Sequence, residues 1–449
     1  MFIISYLSCP PSVALVVVRT PNTGGDGCGL PSQASFCRQE ISITDLATPQ
    51  KPRETFMKAC IRLVAIFAIS LAAYAPSLFA QLPIPSDGSD GALNIISNTV
   101  IDLGQAVPGV WNNSNTGTNI GKGIYDPNKW AVVFKYSSVS IASNATVTFK
   151  NHLTHAPVVW LVNGNVTING LLSLEGQDGT FDPITVPEPG PGGFRGGARD
   201  QPSLGHSGGF GPGGYYNDHG GYADHNAYGN PQIIPLIGGS GGSGNANSWN
   251  GGGGGGAILI AASSNITLSA SGQISVSGGN GPNAWDGSGG AIRLVADQIL
   301  GSGRIEAGSP GAYGGRLRLE ANTPSPSLSL NPPTAFVSPT PLLIWPEANA
   351  PTVKVISVAG QSAPLDPKAE ISAVASDLTI ANSSSVAILL QTSNFPTNGT
   401  VNVYIKRRNS SQSILPASFL SGTTNLATWQ LTTTLPVNHT VIQARAVSN

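Results

Sequence analysis

Three glycine pairs, each followed by an alternating apolar run, constrain this chain more than any other feature. They are Gly255-Gly256-Ala257, Gly289-Gly290-Ala291 and Gly314-Gly315-Arg316. Aligned on the glycines, Ile258, Ile292 and Leu317 fall in one column, and Ile260, Leu294 and Leu319 fall in the next. Leu259, Arg293 and Arg318 fill the column between them. Apolar residues at every second position mark strands with one face buried and the other in water. Ile266 with Leu268, and Ile274 with Val276, continue the first repeat, and Ile299 and Ile305 take those places in the second. About three short strands per repeat, closed by glycine, can bury their apolar faces by stacking repeat on repeat.

Poly-glycine alone would describe a flexible linker, but a linker has no reason to hold Ile, Leu and Val in register. The expectation is an all-β chain: a parallel β-helix over residues 81–322 with three short strands per turn, glycine supplying positive φ at the corners. The two GGAI starts, Gly255–Ile258 and Gly289–Ile292, and the run Ile168–Gly176 (INGLLSLEG) carry a resemblance to secreted, glycine-rich, right-handed β-helix proteins of bacteria with a pectin-lyase-like architecture. The resemblance spans residues 92–321 and implies an architecture rather than an activity.

Strands are expected at 130–134, 139–141, 145–149, 158–162, 166–168 and 171–174, with Asn163-Gly164 and Asn169-Gly170 as turns. Residues 85–128 are expected to cap the end. Periodicity vanishes in 177–254, a stretch rich in Gly, Pro, Tyr, His and Asp that reads as an insertion leaving one corner. Leu172 and Leu174 should therefore rejoin the layer of Ile274 and Val276 directly. Residues 323–346 read as a proline-rich linker. Runs at 353–358, 378–381, 386–390, 401–405, 427–431 and 441–446 have the spacing of a small β-sandwich over 347–449. The segment Trp429–Ala446 resembles the last hairpin of a fibronectin type III or other immunoglobulin-like domain.

Lys58 and Arg62, the apolar run 63–75 and small residues before Gln81 form a signal-peptide pattern over 57–80. Residues 1–56 then read as a disordered extension or a mis-assigned start. Cys9, Cys28, Cys37 and Cys60 all precede the expected mature chain. A chain with 10% charged residues and net charge −1 gives no electrostatic case for nucleic acid, and the mature part has no expected membrane span. A secreted or cell-surface location follows.

Three groups of residues are candidates for function. Trp249, Trp285, Tyr313, Tyr215, Tyr216, Tyr222 and Tyr228 offer flat rings for the apolar faces of sugars; packing the insertion is the alternative use. Asp218-His219 and Asp224-His225 carry donors that suit a divalent metal such as zinc, or simply keep a loop solvated; no other cofactor is implied. Arg293, Arg318, Arg304, Glu306, Glu320 and Asp297 should form an outward charged wall, used in cross-strand pairing or in polysaccharide cleavage. Two functions are compatible with these features. One is a structural or adhesive protein that binds a polysaccharide or matrix component. The other is a polysaccharide lyase or glycoside hydrolase.

Overall fold

In the computed structural model the columns become hydrogen-bonded registers. It describes residues 2–3, 81–181, 186–198, 209–211, 231–245, 249–308, 314–325, 327–339, 343–364, 377–381, 384–407, 412–435 and 440–448. The chain divides into two units, 10–80 and the remainder. All described residues lie in the second unit, and the expected signal segment and the four cysteines lie outside the described residues. Among the described residues there is no α-helix, only two short 3-10 turns, Leu103–Gln105 and Gly117–Asn119.

Residues 92–337 build a twelve-stranded and a six-stranded sheet whose pairings are parallel, save one. Ile258 pairs with Val158 on one side and Ile292 on the other, and Ile292 pairs with Leu317. Trp160, Ile260, Leu294 and Leu319 stack in the next inward column, all fully buried. A second set runs Val139, Val166, Ile266 and Ile299. On the six-stranded sheet Val147, Leu172, Ile274, Ile305 and Leu330 align. Each fully buried Ile or Leu contributes about 1.5–3 kcal/mol, so the columns account for much of the cohesion between repeats. Leu172 opposite Ile274 also shows that the chain rejoins the next layer across the insertion, as its sequence implied.

The first two strands of a repeat, Ala257–Ala262 and Asn265–Leu268, share one sheet, because the eleven-residue strand Ala291–Gly301 pairs with both. The first layer is Ala92–Ile95 on one sheet and Thr99–Asp102 on the other. Ile124–Asp126 runs antiparallel to Ala131–Tyr136, the one reversed pair in these sheets. The proline-rich stretch 323–346 is more than a linker. Ser329–Asn331 and Phe336–Val337 extend the two sheets, and Ile344 and Trp345 fold back over the outer face.

That covering changes the expected wet face. Val159, Leu161, Leu259, Ala261 and Val295 point away from the main core yet are buried under Leu82, Ile84, Ile344 and Trp345. Alternation alone could not reveal this, since the covering segments come from the two far ends of the sheet region.

The glycine-rich stretches differ most from expectation. They form a packed array of extended segments, and 251–256 is its centre. Gly251 and Gly254 donate their N–H groups to the carbonyls of Gly197 and Phe194. Gly252 and Gly255 donate to Trp285 and Ser288, and Gly253 and Gly256 donate to Gln177 and Leu174. Partners therefore recur every third residue, the symmetry of a polyproline II-type helix, which makes no internal hydrogen bonds. Each N–H is satisfied by a neighbouring segment instead, at 2.8–2.9 Å. Further segments close around it: Gly239 and Gly242 donate to Gly255 and Gly252, and Gly279 donates to Gly253.

The reason for glycine is space. None of residues 251–256 adopts positive φ, so sharp corners are not the explanation. A Cβ on Gly254 would collide with the carbonyl oxygen of Gly239, and one on Gly252 with that of Gly279. Segments 186–198, 209–211 and 238–245 of the expected insertion belong to this array rather than to a loop.

The C-terminal residues form an antiparallel half-barrel. Thr352–Val358, Val386–Ser393, Thr400–Arg407, Leu426–Thr433 and Thr440–Val447 match expected strands, and the run at 378–381 forms none. The unexpected Gln412–Thr423 joins the two halves: 412–417 pairs with Thr400–Arg407, and 418–423 with Leu426–Thr433. Leu426–Thr433 and Thr440–Val447 are separated by two strands, so the segment that resembled a terminal hairpin is not one. Phe2–Ile3 adds a parallel pair to Thr440–Val447.

Candidate functional site

The glycine segments alternate in direction, and this gathers their turns at one end. Segment 174–180 leaves the strand Leu171–Ser173, and 250–256 returns to Ala257–Ala262. Segment 276–281 leaves Gln273–Ser275, and 285–290 returns to Ala291–Gly301. Their ends, 179–181, 249–250 and 280–285, lie together with 243–245 at the end of the array remote from the strands.

Hydrogen bonds tie these turns together. Asn250 donates its N–H to the Thr180 carbonyl at 2.8 Å and its side-chain amide to Thr180 Oγ1 at 3.2 Å. Asn245 donates its side-chain amide to the Asn283 carbonyl at 2.8 Å, and its N–H to the Trp249 carbonyl at 2.9 Å. Trp285 N–H reaches Ser243 at 3.1 Å, and Gly179 N–H reaches Asn280 at 2.6 Å. Phe181, more than half exposed, sets its ring edge-on to Trp249 at 6.0 Å. Trp249 and Trp285 are both partly exposed. The tip thus combines aromatic rings with amide, hydroxyl and carboxylate groups, the chemistry that a sugar's apolar face and hydroxyl rim require.

Trp249 and Trp285 were expected candidates, and the structure brings them onto adjoining turns. Phe181, Asn245 and Asn283 were not singled out. Their signal was present: each of GQDGTFD, GNANSWNG and GNGPNAWDG sets one aromatic beside Asn or Asp close after a glycine. Tyr313, Tyr215, Tyr216, Tyr222 and Tyr228 lie outside the described residues, as do Asp218, His219, Asp224 and His225. Among the described residues no group of three or more His, Cys, Asp or Glu side chains could hold a metal ion.

The charged wall is mostly not a wall facing water. Arg293 and Arg318 are register partners, as expected. Both donate Nε–H to Glu320 Oε1 at 2.8 Å, and the Arg293 and Glu320 side chains are 3% and 4% exposed. Arg293 also donates Nη2–H to the Leu343 carbonyl at 2.6 Å, Arg316 to that of Ile237 at 2.7 Å, and Arg318 to that of Pro231 at 3.3 Å. These guanidinium groups fasten covering segments to the outer face. Asp297 is buried and accepts from the Asn322 amide at 2.9 Å. Arg304 is exposed and pairs with Glu306 at 2.7 Å. The expectation that all of them face out fails because segments 231–237 and 343–345 lie over this part of the sheet.

A second polar cluster holds the array to the sheets. Buried His155 shares a 3.0 Å contact with Glu188, which also accepts from Arg195 Nε at 2.8 Å. Burial pushes the Glu188 carboxyl up, but the hydrogen bond from His155 and the charge of Arg195 outweigh it and bring its pKa down to about 2. Asn151 donates its amide to the Pro189 carbonyl at 2.8 Å beside it.

Comparison with known protein families, curated proteins and solved structures finds no match to this chain. Among the described residues no helix is long and apolar enough to cross a membrane.

Proposed function

We propose that this chain is a secreted or cell-surface structural and adhesive protein that binds glycans or matrix polysaccharide through the tip of its glycine array. In this reading the parallel sheets are the walls of a right-handed β-helix of pectin-lyase-like architecture. The antiparallel half-barrel is an immunoglobulin- or fibronectin III-like module beside it. The observation that carries the proposal is the convergence of Phe181, Trp249 and Trp285 on adjoining turns among Asn and Thr side chains. Rings held on a rigid backbone lose little entropy on binding, which favours affinity from a small contact area.

The charged wall supports an adhesive role over a lyase or glycosidase. Arg293 and Glu320 are both buried and already paired, so a polysaccharide in solvent does not reach them. The full chain is applied to a broad array of glycans and matrix components, alongside Trp249→Ala and Trp285→Ala. Each substitution is expected to weaken binding about tenfold. Absence of binding to every array member, or binding unchanged in both variants, overturns the proposal. N-terminal sequencing of the exported protein is expected to start at Gln81.

A further inference from the structure

The first layer of the parallel sheets ends in an open edge that fits a second copy of this chain. We infer that two copies join there about a two-fold axis at Ser97, with Ala92–Ile95 of each pairing antiparallel to Thr99–Asp102 of the other. The inference does not depend on the glycan-binding reading. Ala92–Ile95 stands at the edge of the twelve-stranded sheet and Thr99–Asp102 at that of the six-stranded sheet. Bare edges are commonly blunted by Lys, Pro or a bulge. Residues 92–101 contain no proline and no charged residue, and Ile96 and Val100 are 78% and 64% exposed. Leu103 and Ala106 close the interior behind these strands but leave their outer edges unpaired. The opposite end is blunted: Ser329–Asn331 runs directly into Pro332 and Pro333, and Arg316–Pro324 ends on proline. Head-to-tail growth through both ends is therefore disfavoured, which leaves an isologous contact between two open ends.

The free backbone groups select the register. Ser137 and Ala142 donate their N–H groups to the carbonyls of Gly91 and Ile95. A strand residue turns its N–H and C=O to one side and its neighbours turn theirs to the other, so Ala92 and Asn94 face the open edge. Leu171 donates to the Ala145 carbonyl, which turns Thr148 toward Thr99–Asp102. Thr148 is the register partner of Val100 and bonds to the residues on either side of it, so Val100 and Asp102 face the open edge. A two-fold at Ser97 sets Asn94 and Ala92 opposite Val100 and Asp102 of the partner subunit. Each of these pairs can exchange both N–H···O bonds, roughly eight bonds in all against about ten in a specific interface. The same axis sets Leu93 opposite the partner's Ile101. Both point inward and are only partly buried in one copy, whereas Val139 and Val166, the next members of the Leu93 column, are buried. A second copy covers them and continues the apolar interior.

The test is light scattering after gel filtration of the full chain, in reducing buffer so that Cys9, Cys28, Cys37 and Cys60 form no cross-link. At about 50 μM the expected mass is twice that of one chain. Val100→Lys places a charge within the contact, and Asn94→Pro removes an edge-facing donor, while neither breaks a bond inside one copy. Each should raise the dissociation constant about tenfold or more, with circular dichroism melts that superpose on that of the unsubstituted chain. Ile414→Lys, at an exposed apolar position of the half-barrel, should leave the mass doubled. A single-chain mass, a mass that climbs steadily with concentration, or a doubled mass unmoved in both Val100→Lys and Asn94→Pro overturns the inference.

Discussion

Arg293 donates its Nε–H to Glu320 at 2.8 Å where neither side chain is more than 4% exposed. Removing one partner of a buried pair strands the other charge, which costs about 3–5 kcal/mol. Glu320→Ala should lower stability by that amount in chemical denaturation. Arg304→Ala, at an exposed pair, should change it by less than about 1 kcal/mol.

Gly254 and Gly314 separate two uses of glycine. Alanine at 254 meets the Gly239 carbonyl oxygen, so Gly254→Ala should cost about 3 kcal/mol or more. Alanine at 314 meets only the Pro332 ring at 3.8 Å, with no positive φ, so Gly314→Ala should stay within about 0.5 kcal/mol. Equal losses in thermal melts would contradict this account of the array.

Glu188 makes the join between array and sheets sensitive to acid. Its carboxyl sits at about 2 in the folded chain against an ordinary 4.5. The stabilisation is complete above pH 4.5 and disappears as pH falls through about 2. Because the side chain is 38% exposed, solvent screening limits the effect to roughly 1–2 kcal/mol. Glu188→Gln should flatten the stability profile between pH 4.5 and 2, and a variant that keeps the wild-type slope would remove Glu188 as its source.

In the half-barrel, Trp429 donates its indole N–H to Thr392 Oγ1 at 2.9 Å, and both residues are buried. Thr392→Val retains the volume and leaves that donor unpaired, which should cost about 1–3 kcal/mol. Tryptophan fluorescence during urea unfolding measures it.

The parallel registers were legible because Ile258, Ile292 and Leu317 mark them twice, by spacing from glycine and by alternation. The glycine array was not, since a run of identical residues cannot display which N–H points to which neighbour every third step. Gln412–Thr423 was missed because Pro416 and Gly422 argue against a strand. Burial of Arg293 depends on Leu343, fifty residues later, and period-two reasoning sees only the strand itself. At the tip, Trp285 stood out by its size, whereas Phe181 gained meaning only beside Trp249.

The third-residue bonding of 251–256 also bears on the order of assembly. Gly253 meets Gln177 and Gly252 meets Trp285, partners far apart along the chain. The glycines bring no side chain of their own to those meetings, and bringing such distant stretches together carries an entropic cost. The aliphatic strands on either side must dock first and deliver the glycine passes to one another. The tip of the array is then the last part of the protein to mature, and it exists only on a chain whose framework is already complete.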